Sequence, residues 1–267
     1  MSRAPADADV DYDPRVYADL FAVEDRHFWF RARNRAIVTV FDSIREHLAP
    51  GYRVLEVGCG TGNVLRALHA AAIGGNVVGM DVHLEGLRYA RRRAGFLKLV
   101  GGDLWHPPFS VGFDVVGVFD VLEHIDDDVA ALRALGRVLR AGGTLFLTVP
   151  ADPKLWSYFD LASHHKRRYV EDELRSKLVE AGFSVEYLTP YMSVLRPFMS
   201  LGRRAAVLRH ADPHTAEAAW EVAAADLRVR PVTGTMFELL LRYELGFLRR
   251  YRRVPSGTSL LAVARSA

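Results

Sequence analysis

Val54-Leu55-Glu56-Val57-Gly58-Cys59-Gly60-Thr61-Gly62-Asn63 decides the fold. An apolar run carries one acidic residue, glycines stand at alternate positions 58, 60 and 62, and Val64, Leu65 and Leu68 then take up a helical spacing. This reads as a buried strand, a tight turn and the start of a helix. The glycines sit where a Cβ would hold a ligand away from the backbone. A dinucleotide fingerprint, Gly-x-Gly-x-x-Gly, needs its third glycine at position 63, and Asn63 stands there instead.

Strand and helix alternate outward from this turn. Residues 76–80 read as a short apolar strand closing on Asp81, and 84–93 as a helix with Arg88, Arg91, Arg92 and Arg93 on its wet side. Residues 96–100 form a third strand before Gly101-Gly102-Asp103, and 113–119 a fourth, apolar apart from Asp114 near its start, of the kind a parallel sheet buries on both faces. Asp126-Asp127-Asp128 opens a helix with apolar positions Val129, Leu132, Leu135 and Leu139, and 144–149 is a fifth strand ending at Pro150. A helix over 171–181, a sixth strand over 183–188 and a last apolar run over 259–264 complete the series. Ahead of the turn, helices are expected over 14–22 and 28–48, the second with Ile37, Phe41, Ile44 and Leu48 on one stripe. Such alternation predicts right-handed crossovers and an α/β, Rossmann-like, doubly wound sheet.

Composition narrows the class. With 267 residues, half of them hydrophobic, the chain can bury one large domain or a domain plus an appendage. The single cysteine, Cys59, allows no internal disulfide and points to a reducing compartment. The polar, acidic first 13 residues are not a signal peptide, and no apolar span reaches the ~20 residues a membrane helix needs. A soluble, cytoplasmic protein is expected, with a peripheral place at the inner membrane surface as the alternative. A net charge of +3 gives no mandate for nucleic acid.

Glu-x-Gly-x-Gly-x-Gly at the end of a first strand resembles the first motif of class I S-adenosylmethionine-dependent methyltransferases, and further segments extend the likeness. Gly102-Asp103-Leu104-Trp105-His106-Pro107-Pro108-Phe109 looks like that family's acidic residue and Pro-Phe loop, and Phe119-Asp120-Val121-Leu122-Glu123-His124-Ile125 like its segment after strand four. Arg140-Ala141-Gly142-Gly143-Thr144-Leu145 is similar to the turn opening strand five. His165-Lys166-Arg167-Arg168-Tyr169, with Glu173-Leu174 and Ala181-Gly182-Phe183, resembles the substrate-side segment of the type 11, ubiquinone-type small-molecule methyltransferases. The likeness covers about residues 27 to 190 and the last strand. His106-Pro107-Pro108-Phe109 is not the Asn/Asp-Pro-Pro-aromatic motif of base methylation, since it precedes strand four and lacks the leading amide or acid.

The resemblance implies a sheet of order 3-2-1-4-5-7-6, with the last strand antiparallel, and S-adenosyl-L-methionine as cofactor. Ligands of open α/β sheets bind beyond the carboxyl ends of the strands. Gly58, Gly60 and Gly62, with Glu56 beside them, are therefore expected against the methionyl part. Asp81 and Val82 are expected at the ribose, Asp103 and Leu104 at the adenine, and Phe119 and Asp120 near the amine and sulfonium. For an acceptor hydroxyl, His124 and His165 are candidate bases and Tyr169 an orienter, while Phe28, Trp29 and Arg168 are expected at the substrate. His164-His165 with Asp160 could suggest a metal. Neighbours on an extended segment point oppositely, so none is expected.

Residues 1–51 are read as an N-terminal helical cap, 52–190 with 256–267 as the cofactor-binding core, and 191–255 as an insertion too long for a plain loop. Helices are expected there over 193–209, 214–227 and 236–251. The insertion holds eleven arginines and six acids, flanking apolar patches, and suits a cover for the acceptor, a homodimer face or a surface resting on anionic lipid. Methyl transfer to a small-molecule or lipid-like acceptor, at oxygen, is the expected activity. An RNA methyltransferase or a non-catalytic cofactor-binding regulator is the alternative.

Overall fold

The computed structural model describes residues 14–110, 112–208, 215–227 and 231–267. The expectations for residues 1–13 lie outside that set. Seven strands, β1 (Arg53–Val57), β2 (Asn76–Asp81), β3 (Lys98–Gly101), β4 (Phe113–Phe119), β5 (Leu139–Pro150), β6 (Phe183–Tyr191) and β7 (Ser259–Ser266), form one sheet of order β3-β2-β1-β4-β5-β7-β6. The first five pair in parallel, and β7 runs antiparallel between β5 and β6. Alternation along the strands sends Val54, Val115, Phe119, Phe146, Leu261 and Val263 to one face. It sends Leu55, Val57, Val116, Val118, Leu147 and Ala262 to the other.

Helices cover both faces, as burial of apolar strands on two sides requires. On the first face lie α2 (Phe28–Arg45), through Ile37, Val40, Phe41 and Ile44, and α3 (Asn63–Ala71), through Val64, Leu65 and Leu68. On the second lie α5 (Asp128–Val138) and α7 (Glu171–Glu180), through Leu132, Leu135, Leu174 and Leu178. The N-terminal α1 (Pro14–Val23) packs on α4 (Leu84–Arg93), bringing Phe21 to Tyr89.

Several boundaries differ from the sequence reading for identifiable reasons. Leu139 leaves the helix because it pairs with Phe113, so β5 starts earlier. Strand β6 runs on through Pro190 to Tyr191, which an edge strand tolerates because its outer side needs no N–H donor. A short helix α6 (Tyr158–Ala162), absent from the sequence reading, is nucleated by a capping box in which Ser157 and Asp160 bond each other's backbone N–H groups.

Between β6 and β7 come α8 (Leu195–Leu208), α9 (Ala216–Asp226) and α10 (Pro231–Leu248). Helix α10 lies along α2. Phe237 stacks on Phe28 with ring centres 5.2 Å apart, and Glu238 forms ion pairs with Arg31 at 3.0 Å and Arg35 at 2.7 Å. Helix α9 packs Ala219 and Ala223 on Ala162 of α6, and its Trp220 Nε1 donates to Asp19 of α1 at 3.1 Å. Among the described residues no helix is long and apolar enough to cross a membrane.

Glu244 of α10 is buried and caps the chain leaving β6, accepting from the N–H groups of Met192 at 2.8 Å and Ser193 at 2.6 Å and from the Ser193 hydroxyl. Glu244→Ala would strand these buried donors and should lower stability by about 2–3 kcal/mol. A fall in the urea midpoint at unchanged slope checks this, and an unaltered midpoint would show that water replaces the carboxylate.

Candidate active site

The turn after β1 is built by its glycines. Gly58, Gly60 and Gly62 have φ of +73°, +49° and +74°, the left-handed region that side chains disfavour. A Cβ on Gly58 would stand 2.4 Å from Cγ2 of Val121, whereas one on Gly60 would meet nothing within 4 Å. Gly58 is thus demanded by packing, while Gly60 leaves open backbone. The Gly60 N–H donates to Oδ2 of Asp81 at 2.7 Å, and the other oxygen of Asp81 accepts from His83 N–H at 2.8 Å. Burial pushes the Asp81 carboxyl up against the lowering effect of these bonds.

Helix α1 and the residues after it close over this turn. The Thr61 hydroxyl donates to Glu24, and the buried Arg93 guanidinium pairs with Glu24 at 2.6 Å and Asp25 at 2.5 Å while donating to the Thr61 carbonyl at 2.9 Å. Burial raises the Glu24 carboxyl, with Arg93 and Thr61 opposing.

At the end of β4, Asp120 takes a φ of +55°, a strained setting for any residue but glycine and one that Asp tolerates better than most. Its backbone N–H donates to Thr148 at 3.0 Å, and its carboxylate accepts from the Thr148 hydroxyl at 3.1 Å and from Arg33 Nη1 at 2.8 Å. Arg33 comes from α2, where its guanidinium also lies over the Trp29 ring at 5.1 Å. Close to it on β1, Glu56 is fully buried, and desolvation pushes its carboxyl well above the ordinary range, with Arg33 pulling the other way. Arg33 Nε and Glu56 Oε2 are both buried without a hydrogen-bond partner.

Three residues beyond Asp120 lies a second cluster. A 3-10 turn over Leu122–His124 and the stretch after α6 bring Glu123, His124 and His165 together, with their ligating atoms within 4.8 Å of one another. His165 Nδ1 lies 2.9 Å from Asp160, and its ring meets that of His124 edge-on at 4.9 Å. Burial, helped by the charge His165 can carry, pushes His124 down to about 3, so it is neutral at ordinary pH. Burial tends to raise Asp160, but the bond from His165 and the charge of Arg168 outweigh it and hold the carboxyl low.

The residues singled out in the sequence fall into distinct settings. Glu56, Gly58, Gly60, Gly62, Asp81 and Asp120 gather at one rim, and Val82 stands exposed beside Asp81. Asp103 is partly exposed and accepts from the Trp105 N–H at 2.9 Å, with Leu104 packed against the core next to it. Phe119 is a core residue, buried edge-on against Phe146. Tyr169 is no orienter of a base, because its fully buried hydroxyl donates to Asp128 at 2.9 Å. Arg168 is not free for an acceptor, since Asp160 at 2.7 Å and the Ala151 carbonyl at 3.0 Å occupy its guanidinium. Phe28 and Trp29 open α2, where Phe28 stacks on Phe237 of α10 and Trp29 lies against the Arg33 guanidinium. His164 is exposed, whereas the neighbouring His165 joins Glu123, a partner that sequence spacing did not suggest. Arg33 carries no sequence signal as a site residue because only tertiary packing brings α2 to the strand ends, while Glu123 and Asp160, both named in the sequence reading, show their approach to His165 only in the fold.

Comparison with known proteins agrees with this geometry. The family described as a methyltransferase domain matches residues 24–188, more than half of the chain. The chain belongs to the methyltransferase domain family. A probable S-adenosylmethionine-dependent methyltransferase of Mycobacterium tuberculosis is 29% identical over 163 residues, covering 59% of this chain and 56% of that protein. A ubiquinone biosynthesis O-methyltransferase of Albidiferax ferrireducens is 33% identical over 120 residues, 40% of this chain and 46% of that one. The chain thus spans about half the length of these curated relatives. A crystal structure of a putative sarcosine dimethylglycine methyltransferase from Galdieria sulphuraria aligns with a TM-score of 0.60 at 14% identity, over 96% of this chain and 99% of that one, a likeness of fold.

As a class I member of this methyltransferase family, the chain has S-adenosylmethionine as its cofactor, and the rim fits that molecule. The open backbone at Gly60 leaves room a Cβ would fill. Arg33 Nε and Glu56 Oε2 are an unpartnered buried donor and acceptor, the pair that a carboxylate and an ammonium require.

The buried Glu56 also has a pH signature. An unfolded Glu loses its proton near pH 4.3, while the native carboxyl holds it to higher pH. Between those points the folded chain binds more protons than the unfolded one, so stability falls as pH rises. In cofactor-free protein, Glu56→Gln should remove this fall, so that its stability relative to the parent improves from about pH 4 towards neutrality. Urea unfolding across that range checks it, and a constant difference would place the native titration elsewhere.

Proposed function

We propose that the chain transfers the methyl group of S-adenosylmethionine to a hydroxyl oxygen of a small or lipid-like acceptor. One juxtaposition carries the reading. The glycine turn, the Asp81 carboxylate bonded to it and Asp120 stand at neighbouring carboxyl ends of the sheet, and the Glu123, His124 and His165 cluster begins three residues beyond Asp120. Gly60 would admit the methionyl chain, Arg33 and Glu56 its charged ends, Asp81 the ribose hydroxyls, and Asp103 with Leu104 the adenine. Asp81 has acceptor capacity to spare, because a carboxylate offers about four lone-pair sites and two are used here.

Bound S-adenosylmethionine supplies a methyl carbon that its sulfonium already makes electrophilic. The chain then has to hold an acceptor oxygen in line with that carbon, exclude water and dispose of the hydroxyl proton. Asp160 fixes His165 through Nδ1, which leaves Nε2 facing Glu123 at 3.7 Å. These groups form the acceptor-side polar wall, and Phe28 and Trp29 supply apolar cover near the rim. The likeness to a ubiquinone biosynthesis O-methyltransferase favours oxygen as the accepting atom. Phe198, Leu201, Met236, Leu239, Leu240 and Tyr243 are exposed on α8 and α10, a cover that suits a lipid-like acceptor better than a wholly polar one.

Transfer of labelled methyl from S-adenosylmethionine to phenolic and lipid-linked hydroxyl acceptors tests the activity, and its absence across such a panel while amine acceptors react would overturn the assignment to oxygen. Asp81→Ala should weaken S-adenosylhomocysteine binding about 10- to 100-fold, since the ribose hydroxyls lose an acceptor worth about 1–3 kcal/mol. Calorimetry reads this directly, and an unchanged affinity would remove Asp81 from the cofactor site.

A further inference from the structure

We propose that Glu123, His124 and His165 bind one divalent transition-metal cation, which holds the acceptor oxygen beside the methyl donor. This inference rests on the methyl-transfer reading for its purpose, but its evidence is separate. Glu123 is fully buried, yet neither carboxylate oxygen has a hydrogen-bond partner, and His165 Nε2 stands 3.7 Å from Oε1. A buried carboxyl left in this way is costly unless something enters to satisfy it. Two imidazoles converge on it, with all the ligating atoms within 4.8 Å.

The arrangement around these three side chains favours a cation over a chance contact. A ligating histidine usually has its second nitrogen tied to a carboxylate or a backbone carbonyl, which fixes the ring and its tautomer. His165 shows this in full: Nδ1 is bonded to Asp160 at 2.9 Å, and Asp160 is itself held by Arg168 at 2.7 Å and by the Ser157 N–H at 2.9 Å. His124 is bonded to the backbone of His164. Both rings are therefore anchored from outside the cluster. Metal–ligand bonds of about 2.0–2.2 Å set neighbouring ligand atoms roughly 3–3.5 Å apart, so the 3.7 Å pair is nearly in place and modest rotation closes the rest.

Two imidazoles and one carboxylate suit Zn²⁺, Mn²⁺ or Co²⁺ better than Mg²⁺ or Ca²⁺, which prefer oxygen ligands. Three protein ligands also leave coordination positions open, as a catalytic metal needs. The acceptor class follows: a molecule with a hydroxyl beside a second oxygen donor, such as a catechol, can chelate through both. Coordination makes the hydroxyl more acidic, so its proton passes to solvent. The oxygen's electron pair then forms the new O–CH₃ bond as the S–CH₃ bond breaks, and the sulfonium leaves as a neutral thioether.

The test uses the full chain, stripped with a chelator and titrated with Co²⁺ under visible spectroscopy, with S-adenosylhomocysteine binding measured in parallel. About one Co²⁺ per chain is expected, giving d–d bands that Zn²⁺ abolishes, and Glu123→Gln and His165→Asn should each weaken uptake at least tenfold. Both should keep the parent's affinity for S-adenosylhomocysteine. No uptake by the parent chain, or uptake indifferent to these substitutions, overturns the cation site. Should Glu123→Gln fail to fold, the half-buried His165→Asn and His124→Asn carry the same test. Cofactor binding without cation uptake sinks this inference alone, whereas cation uptake without cofactor binding sinks the methyl-transfer reading and leaves the metal site standing.

Discussion

The missing Cβ of Gly58 lets two strand ends close on each other, and the site depends on that approach. With any side chain at position 58, Val121 would have to move, since its Cγ2 lies only 2.4 Å from where the Cβ would stand. Val121 follows Asp120 and precedes the 3-10 turn that carries Glu123 and His124. One close contact between the turn after β1 and the chain leaving β4 therefore fixes the distance between the glycine turn and the cluster of Glu123, His124 and His165. The Asp81 bond to Gly60 adds the third strand end to the same unit. Each part is local, and together they leave little freedom in where a ligand can lie.

Electrostatics at the rim come from outside the sheet. Glu24, Glu56, Asp81 and Asp120 crowd one end of it, and burial raises the first three. Such a group of acids needs cations, and the chain supplies two from helices: Arg93 of α4, closed over by Glu24 and Asp25, and Arg33 of α2, paired with Asp120. Arg93 is fully committed to protein partners, whereas Arg33 retains an unpartnered Nε. A buried guanidinium holding one carboxylate, with a donor to spare, fits a zwitterionic ligand better than a purely structural bridge does, because a structural bridge gains most when every donor is used.

Most of the fold was legible because its signals are local or depend only on order along the chain. Glycine at alternate positions, acids at successive strand ends and apolar runs of strand length specify a doubly wound sheet without knowledge of any contact. Of the residues that gather at the rim, those on strand ends, such as Asp81 and Asp120, were legible. Arg33 sits in a helix with an ordinary amphipathic pattern, and nothing in its neighbours marks it as facing Asp120, 87 residues away. Tyr169 and Arg168 failed in the opposite sense: their segment resembles a substrate-side loop, yet Asp128 and Asp160 draw both side chains inward. Sequence similarity locates a segment, and burial decides which of its side chains remain available.

The insertion acquires a physical role from what it touches. Helix α10 grips α2 through Phe237 on Phe28 and Glu238 on Arg31 and Arg35, and α2 is the helix that delivers Arg33. Helix α9 packs on α6, which delivers Asp160, the carboxylate that orients His165. These two helices of the insertion thus each buttress one element that reaches the strand ends from outside the sheet. Since Arg33 pairs with Asp120 and Asp160 with His165, a shift of the insertion would bear on both through short, well-packed contacts rather than through the sheet. On the proposed methyl-transfer reading, an acceptor beneath the insertion would be sensed at these two groups, which the sheet alone cannot position.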